Sequence, residues 1–316
     1  MKKEAIVLLN MGGPNNLEEV EVFLTNMFND KNIITVKSSL LRRFIATMIT
    51  FSRAEKSQEI YRQIGGKSPI VGHTKNLVQK LKSRVGNEII VDFAMRYTPP
   101  FAAEVIERLN KYNLEKIYLI PLYPQFSTTT TKSSLEDFEE QYHTKGRDAV
   151  LVEIKHFFQN TNYNKAILQR IQERISAHEC RDFDLIFSAH GLPLKVIEKG
   201  DVYERHVQKH VEILKGMLLE AGMNFNAVHL AYQSKVGPME WLKPSLGDKL
   251  KEVKGKGVLI YPIAFTIDNS ETDFELEIEY REIAHELGFK EYRVCECPND
   301  SEFFVDALVE IYEKMR

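Results

Sequence analysis

Short apolar runs alternate with amphipathic stretches along almost the whole chain. Eight runs read as strands: 4–10, 88–94, 116–122, 150–154, 184–189, 227–232, 257–264 and 291–294. The clearest of them, such as 185–187, are apolar throughout, the pattern of strands buried on both faces of a parallel sheet. Between them, 18–26, 75–84, 102–111, 165–178 and 201–221 carry helical periodicity. Such alternation predicts an α/β fold, parallel sheets with helices on both faces joined by right-handed crossovers.

The two halves repeat each other at their strand ends. Asn10-Met11-Gly12-Gly13-Pro14 matches Ala189-His190-Gly191-Leu192-Pro193, which sets Met11 opposite His190. Ala94-Met95-Arg96-Tyr97 stands where Ala231-Tyr232-Gln233-Ser234 stands, and 119–127 resembles 259–266, each ahead of an acidic helix. Met11 to Ala94 spans 83 residues and His190 to Ala231 spans 41, so the first half carries an insertion of about 42 residues, at 29–73. The pattern predicts two similar Rossmann-like lobes, 1–160 and 161–300, each a parallel sheet flanked by helices. Facing lobes would line a cleft with the carboxyl ends of both sheets. Chance likeness between α/β strand ends is the alternative.

Within the insertion, 38–53 is apolar on one face and otherwise carries only positive charge. That suits covering an apolar, anionic ligand or resting on a membrane surface, although a core-facing helix has the same periodicity. Ile64-Gly65-Gly66-Lys67-Ser68-Pro69 is a glycine-rich turn ahead of a helix and lacks the phosphate-loop spacing.

Bulk properties narrow the classes. The 316 residues suffice for two domains, and 42 Lys and Arg against 45 Asp and Glu leave a net charge of −3, no general surface for nucleic acid. Met1-Lys2-Lys3-Glu4 leads into an apolar stretch too short for a signal peptide, and no run approaches the ~20 residues of a bilayer span. A cytoplasmic location is expected, with 38–53 as the segment able to touch a membrane. Cys180, Cys295 and Cys297 lack the fourth thiolate of an iron–sulfur cluster, so free thiols and no cluster are expected.

Two stretches carry chemistry. In 184–193 an apolar run ends at a small residue, His190 and Gly191, placing an imidazole at the carboxyl end of a strand, where open α/β sheets bind ligands. It can exchange a proton near neutral pH or ligate a metal; a structural histidine heading the next helix is the plainer reading. In 265–280, Glu271, Glu275 and Glu279 recur every four residues, three carboxylates along one face of a helix that Ser270 would cap. Like charges so spaced weaken a helix. A solvated acidic face explains many such runs, but this one starts just after a strand end, as His190 does. Imidazole and carboxylates around one pocket suit a divalent transition metal, or removal of protons from a bound base.

Six blocks in fixed order point to a family: Leu9 to Pro14, Ile64 to Pro69, Ala94 to Tyr97, Pro121 to Ser127, Phe187 to Pro193 with Gly200 to Tyr203, and Leu230 to Pro238 with Trp241 to Pro244. The fifth meets the pattern F-S-x-H-G-x-P…G-[DN]-x-Y. The chain resembles the ferrochelatases, which insert ferrous iron into a porphyrin to make haem. The resemblance implies the chelatase fold and a C-terminal helix, 301–316, packing back across the lobes. It implies His190 and Glu271 as the iron-binding and proton-accepting pair, Met11, Arg96 and Tyr97 near the porphyrin, and ferrous iron as substrate with no permanently bound cofactor. One block departs: the family's S-D-H-I-E-T-L is here Ile267-Asp268-Asn269-Ser270-Glu271-Thr272-Asp273, with Asn269 replacing a histidine.

Metal insertion must remove two pyrrole protons, so a base and an outward path are needed. His190 is the first acceptor in this reading, and Asp268, Glu275 and Glu279 join Glu271 as a path for protons or iron. Bending the macrocycle draws on remote contacts, for which Met11, Tyr97 and Ser127 are candidates. Arg96, Arg42, Arg43 and Arg53 are candidates to grip propionates. A non-catalytic tetrapyrrole or metal carrier and a cobalt chelatase of corrin synthesis are the alternatives. Oligomeric state, and protoporphyrin against coproporphyrin, stay open.

Overall fold

The computed structural model describes residues 3–235, 237, 239–253 and 256–316; Val236 and Pro238, in one of the six blocks, lie outside the described residues. The chain forms two compact units, residues 1–156 with 308–316, and residues 157–307.

The first unit runs β1 (Lys3–Asn10), α1 (Glu19–Phe28), α2 (Ser39–Gln63), α3 (Ile70–Val85), β2 (Ile89–Met95), α4 (Ala102–Leu109), β3 (Leu114–Pro121), a π-helix (Thr128–Lys132), α5 (Ser133–Lys145) and β4 (Val150–Glu153). The second runs α6 (Thr161–Arg174), β5 (Phe183–His190), α7 (Leu194–Glu198), α8 (Tyr203–Glu220), β6 (Ala227–Gln233), α9 (Leu246–Glu252), β7 (Gly257–Pro262), a π-helix (Glu271–Glu279), α10 (Tyr280–Glu286) and β8 (Glu291–Val294). A last helix, α11 (Glu302–Met315), begins in the second unit and ends in the first.

All strand pairs in both sheets are parallel, and the orders, β2-β1-β3-β4 and β6-β5-β7-β8, are the same. The central strands are apolar through their middles because helices cover both faces: Ala5 to Leu9 and Leu185 to Phe187 are all but inaccessible. Register supports the internal repeat. Asn10 pairs with Met95 as Ala189 pairs with Tyr232, and Leu9 pairs with Pro121 as Ser188 pairs with Pro262. Met11 and His190 are thus the next residues along equivalent strands.

Helix limits differ from the sequence expectation for local reasons. The helix expected over 165–178 is α6, which starts at Thr161 because Asn160 Oδ1 accepts the Tyr163 N–H at 2.9 Å, an N-cap. The helix expected from Lys75 starts at Ile70, directly after Pro69. The insertion is mainly α2. Ahead of the buried Tyr61 near its end, it buries small residues, Ala46, Thr50 and Ala54, and exposes large ones: Leu40, Leu41, Phe44, Met48 and Phe51. That inverts the usual distribution on a surface helix. Among the described residues no helix is long and apolar enough to cross a membrane.

Candidate functional site

His190 is the last residue of β5, half-buried, and its backbone is held from both sides. Tyr203 Oη donates to the His190 carbonyl at 2.9 Å, and Asp201 Oδ1 accepts the Tyr203 N–H at 2.9 Å at the head of α8. Gly191 N–H donates to the Gln233 carbonyl at 2.8 Å; a Cβ on Gly191 would sit 2.8 Å from that oxygen, so only glycine fits. Ser188 Oγ donates to Gln233 Oε1 at 2.6 Å. The pattern F-S-x-H-G-x-P…G-[DN]-x-Y is therefore largely a cradle for one imidazole. Its Nδ1 is buried and has no hydrogen-bond partner among the described residues, and the ring stands edge-on to Phe265, centroids 6.2 Å apart. Burial lowers the imidazole pKa, and the Glu271 carboxylate acts against that shift.

The acidic ladder lies on a π-helix, not an α-helix, a rare form frequently found at functional sites. Ser270, expected to cap it, makes no cap hydrogen bond; Asn269 Oδ1 accepts the Glu271 N–H at 2.9 Å instead, and the Ser270 hydroxyl goes to Glu271 Oε2 at 2.9 Å. Glu271 and Glu275 are half-buried and Glu279 is exposed, so the ladder climbs to solvent. Glu275 accepts from Gln233 Nε2 at 3.0 Å, from the Ser234 N–H at 2.7 Å and from Ser234 Oγ. Ser234 adopts a left-handed φ of 65°, strain of a kind that collects at functional sites. Burial pushes the Glu275 carboxyl up to about 7; the Ser234 and Gln233 hydrogen bonds oppose this and the Glu271 charge adds to it. Asp268, expected on the same path, is buried with both oxygens engaged: Oδ1 by the Cys297 N–H at 3.0 Å and Oδ2 by Asn299 Nδ2 at 2.6 Å. It ties the loop after β7 to the loop after β8. Cys180, Cys295 and Cys297 are free and buried, and burial raises all three thiols, which keeps them protonated.

In the first unit, Arg96 Nη2 lies 3.4 Å from Asp30, Nη1 3.3 Å from Asp137, and Nε donates to Ser133 Oγ at 3.0 Å. Tyr97 Oη donates to Asp30 at 2.8 Å, and its buried ring stands edge-on to Phe23 and under the Arg96 guanidinium. Ser127 is buried and its Oγ accepts the Thr129 N–H at 3.1 Å, capping the π-helix Thr128–Lys132. Met11 is half-buried on the cluster of Val20, Phe23 and Tyr97. Arg42 donates to the Asn29 and Val36 carbonyls at 2.9 and 3.0 Å; Arg53 lies over Phe28, 5.8 Å from the centroid; Arg43 is exposed. Among the candidate arginines, Arg96 and Arg42 thus have polar partners inside the fold.

Sequence reasoning passed over Asp30, Gln233 and Ser234 as functional groups. Asp30 stands in no motif; Gln233 and Ser234 stood in the block beside His190, and their place at a strand end was the available signal.

A family model of the ferrochelatases matches residues 3–316. The chain is 78% identical over 316 residues to a ferrochelatase of Sulfurimonas denitrificans, covering 100% of each. It is 54% identical over 312 residues to one of Nitratiruptor sp., covering 99% of this chain and 100% of that one. Among solved structures it is similar to SirB from Bacillus subtilis with Fe3+, with a TM-score of 0.58 at 12% identity over 100% of this chain and 96% of that one. The sirohydrochlorin chelatase SirB from Bacillus subtilis subspecies spizizenii in complex with cobalt also has a TM-score of 0.58, at 11% identity over 100% and 95%. At those identities the structural likeness speaks for fold, while the full-length sequence identity speaks for kinship: the chain belongs to the ferrochelatase family.

Proposed function

We infer that this protein inserts ferrous iron into a porphyrin, releasing two protons, with His190 and Glu271 as the metal-binding and proton-accepting pair. The observation that carries the reading is the strand-end imidazole of His190, whose buried Nδ1 is uncommitted among the described residues; the Glu271 carboxylate opposes the lowering of its pKa by burial. Burial that lowers the imidazole pKa keeps it neutral at pH 7, the form able to take a proton or a metal. Glu275 and Glu279 continue as a path for protons or iron: a carboxyl titrating near 7 can be loaded and emptied at physiological pH, and Glu279 meets water. In this reading Asp268 holds the loop that carries Glu271 rather than passing protons.

Porphyrin contacts are proposed for Met11, Tyr97, Arg43 and Arg53, with Arg96, Arg42 and Ser127 holding the surrounding backbone and side chains. The exposed apolar face of α2 is proposed as the cover for the macrocycle, and the same face beside Arg43 would suit a membrane surface.

The test is metallation followed by absorbance with ferrous iron and protoporphyrin. His190→Ala is expected to lose about a hundredfold or more in rate, the scale of a lost general base, while still binding porphyrin. A His190→Ala protein that metallates at the parent rate would refute the assignment. A carrier would shift the spectrum stoichiometrically with no turnover.

A further inference from the structure

The head of the π-helix Glu271–Glu279 holds more polar groups than a helix end requires. Asn269 caps it with its whole amide: Oδ1 accepts the N–H groups of Glu271 at 2.9 Å and Thr272 at 3.3 Å, and Nδ2 donates to the Ile267 carbonyl at 3.2 Å. Thr272 closes the loop, its Oγ1 accepting the Asn269 N–H at 2.9 Å and interacting with the Asn269 carbonyl at 3.0 Å. Both residues are buried. Because the amide is engaged at its oxygen and its nitrogen, it has one orientation. Capping is thus complete without Ser270, which sits in the right-handed helical region at φ −62° and ψ −31°. Its hydroxyl instead donates to Glu271 Oε2 at 2.9 Å.

A glutamate is a poor fixed ligand by itself, since its side chain has several rotors to order. Here the backbone of Glu271 is fixed by Asn269 and one carboxylate oxygen by Ser270, leaving the other oxygen for an incoming cation. We propose that Asn269 and Ser270 are positioning residues for metal insertion, holding the Glu271 carboxylate in the geometry that receives the ferrous ion. The inference rests on the reading of Glu271 as a metal-binding group. Neither Asn nor Ser changes charge near neutral pH, so the positioning is independent of the protons the reaction releases.

Steady-state metallation with ferrous iron and protoporphyrin varied separately tests it. Ser270→Ala is expected to raise the KM for ferrous iron or lower kcat by about tenfold, the scale of one hydrogen bond to a charged group. The KM for porphyrin and the Tm should stay at the parent values. Ser270→Thr, which keeps the hydroxyl, should recover most of the loss. Asn269→Ala should show the same metal-side defect, and Asn269→Asp, which keeps the accepting oxygens, should recover part of it. Parent values of kcat and metal KM in Ser270→Ala would overturn the proposal. So would a defect that follows Tm and is not recovered by Ser270→Thr. Glu271→Gln separates the two readings: if it stays active, the role of Glu271 itself fails; if it is inactive while Ser270→Ala is normal, only the positioning role fails.

Discussion

Arg96 and Gln233 occupy equivalent places in the two units, each one residue beyond the partner of an equivalent central-strand residue. Both reach toward the helical segment that follows the third strand of their sheet, Arg96 to Ser133 and Asp137, Gln233 to Glu275. In the first unit one guanidinium serves two buried or half-buried carboxylates: burial and the Asp30 charge raise the Asp137 pKa, and Arg96 opposes the rise. In the second a neutral amide meets Glu275, and the carboxyl's pKa rises to about 7. One scaffold therefore raises a buried carboxyl in both units, and the units differ in what opposes the rise: a cation in the first, neutral hydrogen-bond donors in the second. A buried acid becomes useful for proton traffic when its neighbours hydrogen-bond to it without neutralising it.

Five variants sharpen or break that contrast. The largest effect is expected from Arg96→Gln, which makes the first unit imitate the second and strands Asp30 and Asp137 without their cation. Breaking such a pair should destabilise the protein by about 3 kcal/mol, read as a lower urea midpoint. A loss under about 1 kcal/mol would mean the cluster is not an ion-pair anchor.

Next is Glu275→Gln. The folded carboxyl holds its proton up to about pH 7 against an ordinary 4.5, so folding takes up a proton between those values and stability falls as pH rises through them. Above pH 7 the penalty is complete, and removing the charge should stabilise the protein by up to about 3 kcal/mol. Below pH 4.5 parent and variant should converge. Urea titrations of both proteins across that range check the sign, and a gain that grows toward acid pH would break the comparison.

The smallest effects concern the two π-helix heads. Ser127 caps one directly and Asn269 caps the other from two residues ahead, so Ser127→Ala and Asn269→Ala should each lower stability by about 1 kcal/mol. Ser270→Ala, removing no cap, should leave stability unchanged within about 0.5 kcal/mol.

Much of the fold was legible because the central parallel strands are written as apolar runs and each of the eight strands lies where the alternation places one, although the edge strands β4 and β8 carry charged residues. The repeat was legible too, since both sheets place equivalent residues at equivalent strand ends. Of the candidate site, His190 and Glu271 were visible as a strand-end imidazole and the first acid of a spaced series. The π form of the helix was not, because four-residue spacing reads as α when only side-chain faces are considered. The partners of Arg96 were not either: Asp30 is 66 positions away in the chain, and nothing local marks it as the residue a guanidinium will meet.

What the sequence determined by itself is whatever depends on near neighbours or on periodicity: strand and helix placement, the duplicated plan, the glycine that lets Gly191 approach Gln233, and the chemistry available at each strand end. Tertiary structure alone decided which polar groups are compensated. Burial and the approach of chain-distant groups set how a carboxyl is shifted from its ordinary pKa, as Asp137 beside Arg96 and Glu275 beside Gln233, both raised, illustrate. Desolvation and Coulomb terms depend on three-dimensional distance, which residue order does not encode locally.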